Sequence, residues 1–326
     1  MASRIGQRMR RLRNNDVLRG MLSETRLDAG EFVAPVFVRH GRHVVEEVGA
    51  MPGVHRYSHD TVGRYAAQLA DCGIKSMLIF GIPKSKDSVG SHAYASSGVV
   101  PAAIRAVHDS VPSMVVMADV CLCEYTAHGH CGVLKGRNVD NDRTLPLLAR
   151  AAVQYAKAGA DVVAPSAMMD GQVAAIRAGL DLHGYEDTLI MGYSAKYASS
   201  FYGPFRSAAG SAPSFGNRRS YQMNPANARE AMREIELDIR EGADMVMVKP
   251  AIGFLDVISE ARKRFDAPLV GYNVSGEYAM VKAASQNGWL DGMAAAEEIL
   301  MSIKRAGADL VITYHAEELA RHMKGK

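Results

Sequence analysis

Two lysines and a cluster of three cysteines carry the strongest chemical signals in this 326-residue chain. Lys196, in Gly192-Tyr-Ser-Ala-Lys-Tyr, and Lys249, in Met247-Val-Lys-Pro-Ala, each close a short apolar run of strand character. An amine at such a strand end is pushed by desolvation, and by a second ammonium nearby, toward the neutral nucleophilic form. A single such lysine could equally snorkel to solvent or pair with a carboxylate. Two at equivalent strand ends favour Schiff-base chemistry. Between Asp119 and Gly132 the chain gathers Cys121, Cys123, Cys131, His128, His130 and two carboxylates. Three thiolates leave one tetrahedral position open, as a catalytic zinc requires. His128 and His130 stand either as a fourth or outer ligand or as solvent-facing loop side chains. Cys72, ahead of Gly73 at the end of a helical pattern, reads as a small core residue.

Those side chains need a frame. Eight short apolar runs, at 33–38, 76–81, 114–120, 161–167, 188–196, 245–251, 269–274 and 309–315, are each followed by a segment of helical spacing. The helices end in recurrent punctuation: Cys72-Gly-Ile-Lys, Ala158-Gly-Ala-Asp, Glu241-Gly-Ala-Asp and Ala306-Gly-Ala-Asp. There glycine can take the left-handed conformation that stops a helix before the next strand. An open doubly wound sheet has the same local grammar. A count of eight favours closure, so the expected fold is α/β, a single (β/α)8 TIM barrel over residues 31–326. Residues 1–30 are expected to form an extended N-terminal arm for oligomerisation. The longest irregular stretch, 197–224, follows the fifth strand and has the length and position of a functional lid.

Bulk properties exclude other classes. Hydrophobic residues make up 48% and charged residues 22%, the balance of an ordinary globular protein. The net charge is +3, but Arg4, Arg8, Arg10, Arg11, Arg13 and Arg19 against Asp16 place +5 in the first twenty residues, leaving −2 for the rest. A body so nearly neutral gives no broad footprint for phosphate backbones, so nucleic acid is not an expected partner. No apolar run approaches the ~20 residues of a membrane span, and the N-terminus lacks the apolar middle of a secretory signal. An Arg-rich, acid-poor start is also the composition of an organelle transit peptide; cytoplasm is the simpler expectation.

Taken together the motifs resemble the porphobilinogen synthase (5-aminolaevulinate dehydratase) family over essentially the whole chain. They are the Arg10-Arg-Leu-Arg start, the Asp119 to Gly132 cysteine loop, Ala164-Pro-Ser, Met168-Met-Asp-Gly, Tyr193-Ser-Ala-Lys-Tyr, Phe201-Tyr-Gly-Pro-Phe-Arg, Met247-Val-Lys-Pro-Ala and Val274-Ser-Gly-Glu-Tyr. The resemblance implies a lyase of haem biosynthesis that condenses two molecules of 5-aminolaevulinic acid. Lys249 would hold the substrate of the propionate side and Lys196 that of the acetate side, both as imines. Cys121, Cys123 and Cys131 would hold zinc. Arg206 and Arg218, with Gln222, would bind the acetate-side carboxylate, and Ser275 and Tyr314 the propionate-side one. Asp119 and Ser166 would face an amino group, and Tyr202, Phe205 and Tyr272 would complete the substrate site. Glu234, which shares a helix face with Asp238, matches the position of an activating magnesium in some bacterial members. The family assembles through such arms, often as octamers.

Two positions depart from the family pattern: Ala167 stands where aspartate is common, and Ser220 where some members carry cysteine. The first alters hydrogen bonding near Ser166; the second argues against a further thiolate site there. Competing readings are a class I Schiff-base aldolase and a non-catalytic metal-binding oligomeric scaffold. The region of strands seven and eight shows no Gly-rich phosphate cradle for the aldolase, and two retained strand-end lysines speak against the scaffold.

Overall fold

A computed structural model describes residues 7–325. Arg4 and the rest of the first six residues of the expected arm lie outside the described part. Eight parallel strands form the barrel: β1 (Phe32–Arg39), β2 (Ser76–Ile82), β3 (Val115–Val120), β4 (Val162–Pro165), β5 (Leu189–Lys196), β6 (Met245–Lys249), β7 (Leu269–Asn273) and β8 (Leu310–Thr313). Each pairs with its sequence neighbour, and β8 pairs back onto β1 through Phe32↔Val311 and Val33↔Ile312. The open-sheet alternative is therefore excluded. Helices follow each strand, among them His59–Asp71, Asn141–Lys157, Arg229–Arg240, Ser275–Gln286 and Ala316–Lys324. A hairpin of Val45–Glu47 and His55–Tyr57 extends β1, and a smaller one, Leu134–Lys135 with Asn138–Val139, lies beyond the cysteine loop.

The strands are apolar throughout because both faces are covered. Along β1, Val33 and Phe37 point into the barrel, where they meet Leu78, Met117, Met191, Met247 and Ile312; Phe32, Ala34, Val36 and Val38 point out against the helices. The interior is thus packed rather than hollow, which leaves the C-terminal mouth as the part of the barrel that can take up ligand.

The glycines that close the helices adopt the expected conformation, with φ of 92° at Gly73, 104° at Gly159, 103° at Gly242 and 122° at Gly307. In three of these turns the aspartate that follows has a second use. The carboxylates of Asp161, Asp244 and Asp309 accept the backbone N–H of Val116, Ile190 and Leu269 at 2.8, 2.7 and 2.7 Å. In return each aspartate donates its own N–H to the carbonyl of that same residue. A repeated pair of bonds thereby ties neighbouring strands at the barrel floor.

In the arm, the turn Met9–Arg13 and the helix Asp16–Met21 bury no residue. Contact with the barrel begins at Leu27 and Ala29, which pack against the outer core, and at Glu31, which pairs with Lys304 at 2.8 Å.

Candidate active site

Lys196 and Lys249 stand opposite one another on β5 and β6, in register, and each is only 6% exposed. Reaching that arrangement requires a break in the strand. Met191 and Tyr193 face the barrel interior, so strict alternation would turn Ala195 inward and Lys196 out toward the helices. Instead Val246 pairs with Gly192 and Val248 with Ala195, so Met247 alone spans both Tyr193 and Ser194. This β-bulge shifts the phase by one residue. Ala195 joins the outer core, and Lys196 enters the mouth beside the Tyr193 ring at 5.2 Å.

Four rings enclose Lys249 Nζ: Tyr272 at 4.0 Å, Tyr193 at 4.9 Å, Phe205 at 5.4 Å and Tyr202 at 5.5 Å. Burial, and next the charge of Lys196, bring its pKa down to about 7, so a large fraction is free amine at neutral pH. Lys196 Nζ donates to the carbonyl of Ser166 at 2.5 Å, and Ser166 Oγ donates to Asp119 Oδ2 at 3.1 Å. Burial raises the Asp119 carboxyl to about 7, with Glu124 adding to the rise and the two lysines opposing it.

The cysteine loop leaves the end of β3 and folds back on itself. Tyr125 and Thr126 N–H groups return to the carbonyl of Leu122, and Thr126 Oγ1 donates to the carbonyl of His130 at 2.9 Å. Gly129 makes the reversal at φ 71°, and any Cβ there would lie 2.3 Å from the carbonyl of Ala212. The result brings the sulfurs of Cys121, Cys123 and Cys131 within 4.8 Å of one another, all buried. Sulfurs bound to one tetrahedral ion at ~2.3 Å lie ~3.8 Å apart, so the set fits a single metal ion. Hydrogen bonds from Cys121 and Cys123 hold the Cys131 thiol well below its ordinary pKa, while burial and the same bonds push Cys121 well above it. Cys72 is remote, buried and bonded to the Gln68 carbonyl.

Both histidines of the loop are engaged elsewhere. His130 Nδ1 meets Tyr221 Oη at 3.0 Å and its Nε2 meets the carbonyl of Phe215 at 3.1 Å. His128 meets the carbonyl of Ser88 at 3.3 Å and accepts the His130 N–H at 3.1 Å. They shape the loop and anchor residues 215–221 to it.

Segment 197–224 covers the mouth. It is more ordered than its composition suggests, with a turn at Ser200–Tyr202 and a helix at Gly203–Ala208. Arg56 clamps its far end through the carbonyls of Ala208 and Ser207, at 2.7 and 3.2 Å. Tyr202 Oη donates to the carbonyl of Lys249 at 3.1 Å. The chamber beneath is lined by Phe80, Asp119, Cys123, Glu124, Ser166, Lys196, Tyr202, Phe205, Arg206, Arg218 and Lys249, with about 20 Å³ free. That is room for one water.

Most of the residues expected to act together therefore meet. Tyr314 lies outside that lining, its hydroxyl 3.2 Å from that of Tyr272. Arg218 ties the lid to the cysteine loop through the carbonyls of Gly129 and Ser211, while its Nε and that of Arg206 are buried without partners. Gln222, whose amide is likewise unpartnered, lines a separate outer cavity of about 550 Å³ with Glu234 and Asp238. Glu234 is thus away from the lysines, its carboxyl raised by burial and by Asp170 and Glu230. Ser275 contacts the lid: its hydroxyl accepts the Phe205 N–H and donates to the carbonyl of Phe201. Ala167 is fully buried in the outer core. Sequence reasoning gave no role to Tyr193, which faces both lysines, or to Glu124, which is buried 3.2 Å from Cys123 Sγ. Only the motif around Lys196 and the carboxylate next to Cys123 hinted at them.

A parallel barrel with paired lysines at its C-terminal mouth, one of them readily deprotonated, defines a lyase-type barrel enzyme acting on carbonyl substrates. The family model described as Delta-aminolevulinic acid dehydratase matches residues 6–322, and the chain belongs to that family. Curated relatives of that name include the proteins of Synechococcus elongatus, 54% identical over 96% of this chain and 98% of its own length, and of Methanothermobacter thermautotrophicus, 55% identical over 96% of each. Among solved structures, the Toxoplasma gondii enzyme in complex with the reaction product porphobilinogen superposes with a TM-score of 0.96 at 41% identity, covering 99% of this chain and 93% of that one.

Proposed function

We propose that this chain condenses two molecules of 5-aminolaevulinic acid to porphobilinogen, with loss of two waters, through Schiff bases on Lys249 and Lys196. The observation that carries the reading is the in-register meeting of those two buried amines. Lys249, depressed to about 7, attacks the ketone of the propionate-side substrate, and expulsion of water leaves an imine. Lys196 does the same for the acetate-side molecule. An iminium carbon is a stronger electrophile and electron sink than a ketone, which eases enamine formation and the carbon–carbon bond.

The remaining residues hold the two substrates in place. The unpartnered Nε atoms of Arg206 and Arg218 offer donors to the acetate-side carboxylate, with Gln222 assisting after local rearrangement. Ser275 and Tyr314 take the propionate-side carboxylate once the lid releases Ser275. Asp119, held by Ser166, accepts the propionate-side ammonium, and the rings of Tyr202, Phe205 and Tyr272 exclude water. A zinc ion on Cys121, Cys123 and Cys131 would supply a Lewis acid for the acetate-side substrate. Glu234, at the outer cavity, would offer one carboxylate oxygen to an activating magnesium. The exposed arm would join copies of the chain into an octamer, and a reducing cytoplasm suits four free thiols.

The deciding experiment is borohydride reduction in the presence of labelled 5-aminolaevulinate, with peptide mapping and a colorimetric pyrrole assay alongside. A label at Lys249 and pyrrole formation support the assignment; absence of any adduct at either lysine overturns it.

A further inference from the structure

The bulge that turns Lys196 into the barrel has a support of its own. Behind it lies the helix Arg229–Arg240, and from that helix the Asp238 carboxylate reaches the back of β5. Asp238 Oδ2 stands 2.6 Å from where a Cβ on Gly192 would be, and Ser194 Oγ stands 2.9 Å from the same point. Gly192 immediately precedes the bulge, and Ser194 is one of the two residues that Met247 spans. The Ser194 hydroxyl also lies 3.4 Å from the carbonyl of Gly192, and its proximity favours the charged form of the Asp238 carboxyl against the rise that burial causes. A half-buried carboxylate held against a strand with no cation beside it among the described residues sacrifices part of its hydration, and burial accordingly raises its pKa.

We infer that Asp238 is a positioning residue for the reaction: through Ser194 and the glycine at 192 it holds the bulge, and the bulge sets the direction of Lys196. Asp238 lies against the strand that carries Lys196, so its direct effect falls on that amine, and Lys249 feels it only through the Lys196 charge. It also lines the outer cavity that contains Glu234.

This inference rests on the Schiff-base reading above, and its test separates the two. The full-length Asp238→Ala, Asp238→Asn and Ser194→Ala variants are compared with wild type for borohydride trapping, kcat and KM. A misplacement of ~1 Å costs ~10²-fold in rate, so in Asp238→Ala we expect kcat to fall by about that factor. Labelling at Lys249, compared at a pH high enough that its amine is free in every variant, should stay within about twofold of wild type, since the loss lies downstream of the first imine. Asp238→Asn keeps the volume and a polar oxygen against Gly192 and Ser194 and should recover most of the rate; Ser194→Ala should resemble Asp238→Ala. Wild-type kcat in folded Asp238→Ala, equal loss of Lys249 labelling and turnover, or an Asn variant no better than Ala would each overturn the inference. Should Asp238→Ala fail to fold, Ser194→Ala decides by the same criteria. Wild type lacking any adduct would instead defeat the Schiff-base reading.

Discussion

Ser275 Oγ receives the Phe205 N–H at 3.0 Å, so the residue matched to carboxylate binding is, in this conformation, a latch on the lid. The same hydroxyl donates to the carbonyl of Phe201 at 3.2 Å, gripping both ends of the first lid turn. Substrate carboxylate and lid backbone compete for one side chain.

Removing that hydroxyl should loosen the cover. Each of the two hydrogen bonds contributes ~1 kcal/mol, so Ser275→Ala is expected to accelerate amide exchange in residues 201–208 by roughly thirtyfold while the barrel strands keep their protection. KM for 5-aminolaevulinate should rise as well. Exchange equal to wild type would mean that Arg56 and Tyr202 hold the segment without help.

The Lys249 amine predicts an acid limb. Its pKa of about 7 means that as pH falls below 7 the amine becomes protonated and stops attacking the ketone, so single-turnover labelling should decline there. Lys196 contributes to that depression. In Lys196→Met the neighbouring positive charge is gone, the protonated form is easier to keep, and the limb should move to higher pH. A limb that stays put, or moves down, contradicts the assignment of cause.

The three sulfurs predict a metal-linked stability. A ligand at a hundred times its Kd adds ~2.7 kcal/mol to a folded state that alone binds it. Zinc should therefore raise the Tm of chelator-treated wild type by roughly 5 °C, and leave Cys131→Ala nearly unchanged. Elemental analysis should find metal lost from the variant. Equal metal content in both would remove the cluster from consideration.

At the barrel floor, Asp244→Ala strips the partner from the buried Ile190 N–H. Leaving such a donor unpaired costs ~1–3 kcal/mol. Denaturant unfolding should show a lower midpoint at unchanged slope, and kcat should hold because the mouth is at the opposite end.

Truncation probes the arm. Because Leu27 and Ala29 already pack on the barrel, the informative deletion is residues 1–26. Light scattering should then report a smaller assembly; an unaltered mass would assign the interface elsewhere.

Much of this was legible in the chain. Eight apolar runs gave eight barrel strands, and glycines 73, 159, 242 and 307 took the left-handed geometry that their place after a helix demands. Strand ends in a barrel share one face, so Lys196 and Lys249 were bound to approach. The bulge was not legible. Alternation from Tyr193 would have aimed Lys196 at the helices, and only pairing with β6, a long-range fact, reveals the extra residue. The Gly-Ala-Asp turns read as helix stops, whereas the use of their aspartates on the next strand over appears only once the barrel closes. His128 and His130 were ambiguous for a related reason: their partners Ser88, Phe215 and Tyr221 are distant in sequence.

The closed chamber is smaller than either reactant. Every round of synthesis must therefore include an outward swing to admit guests and another to discharge the pyrrole, and between them solvent is shut out. The bonds from Ser275 and Arg56 that hold the cover down are therefore broken and remade in each cycle, whatever the reactivity of the amines.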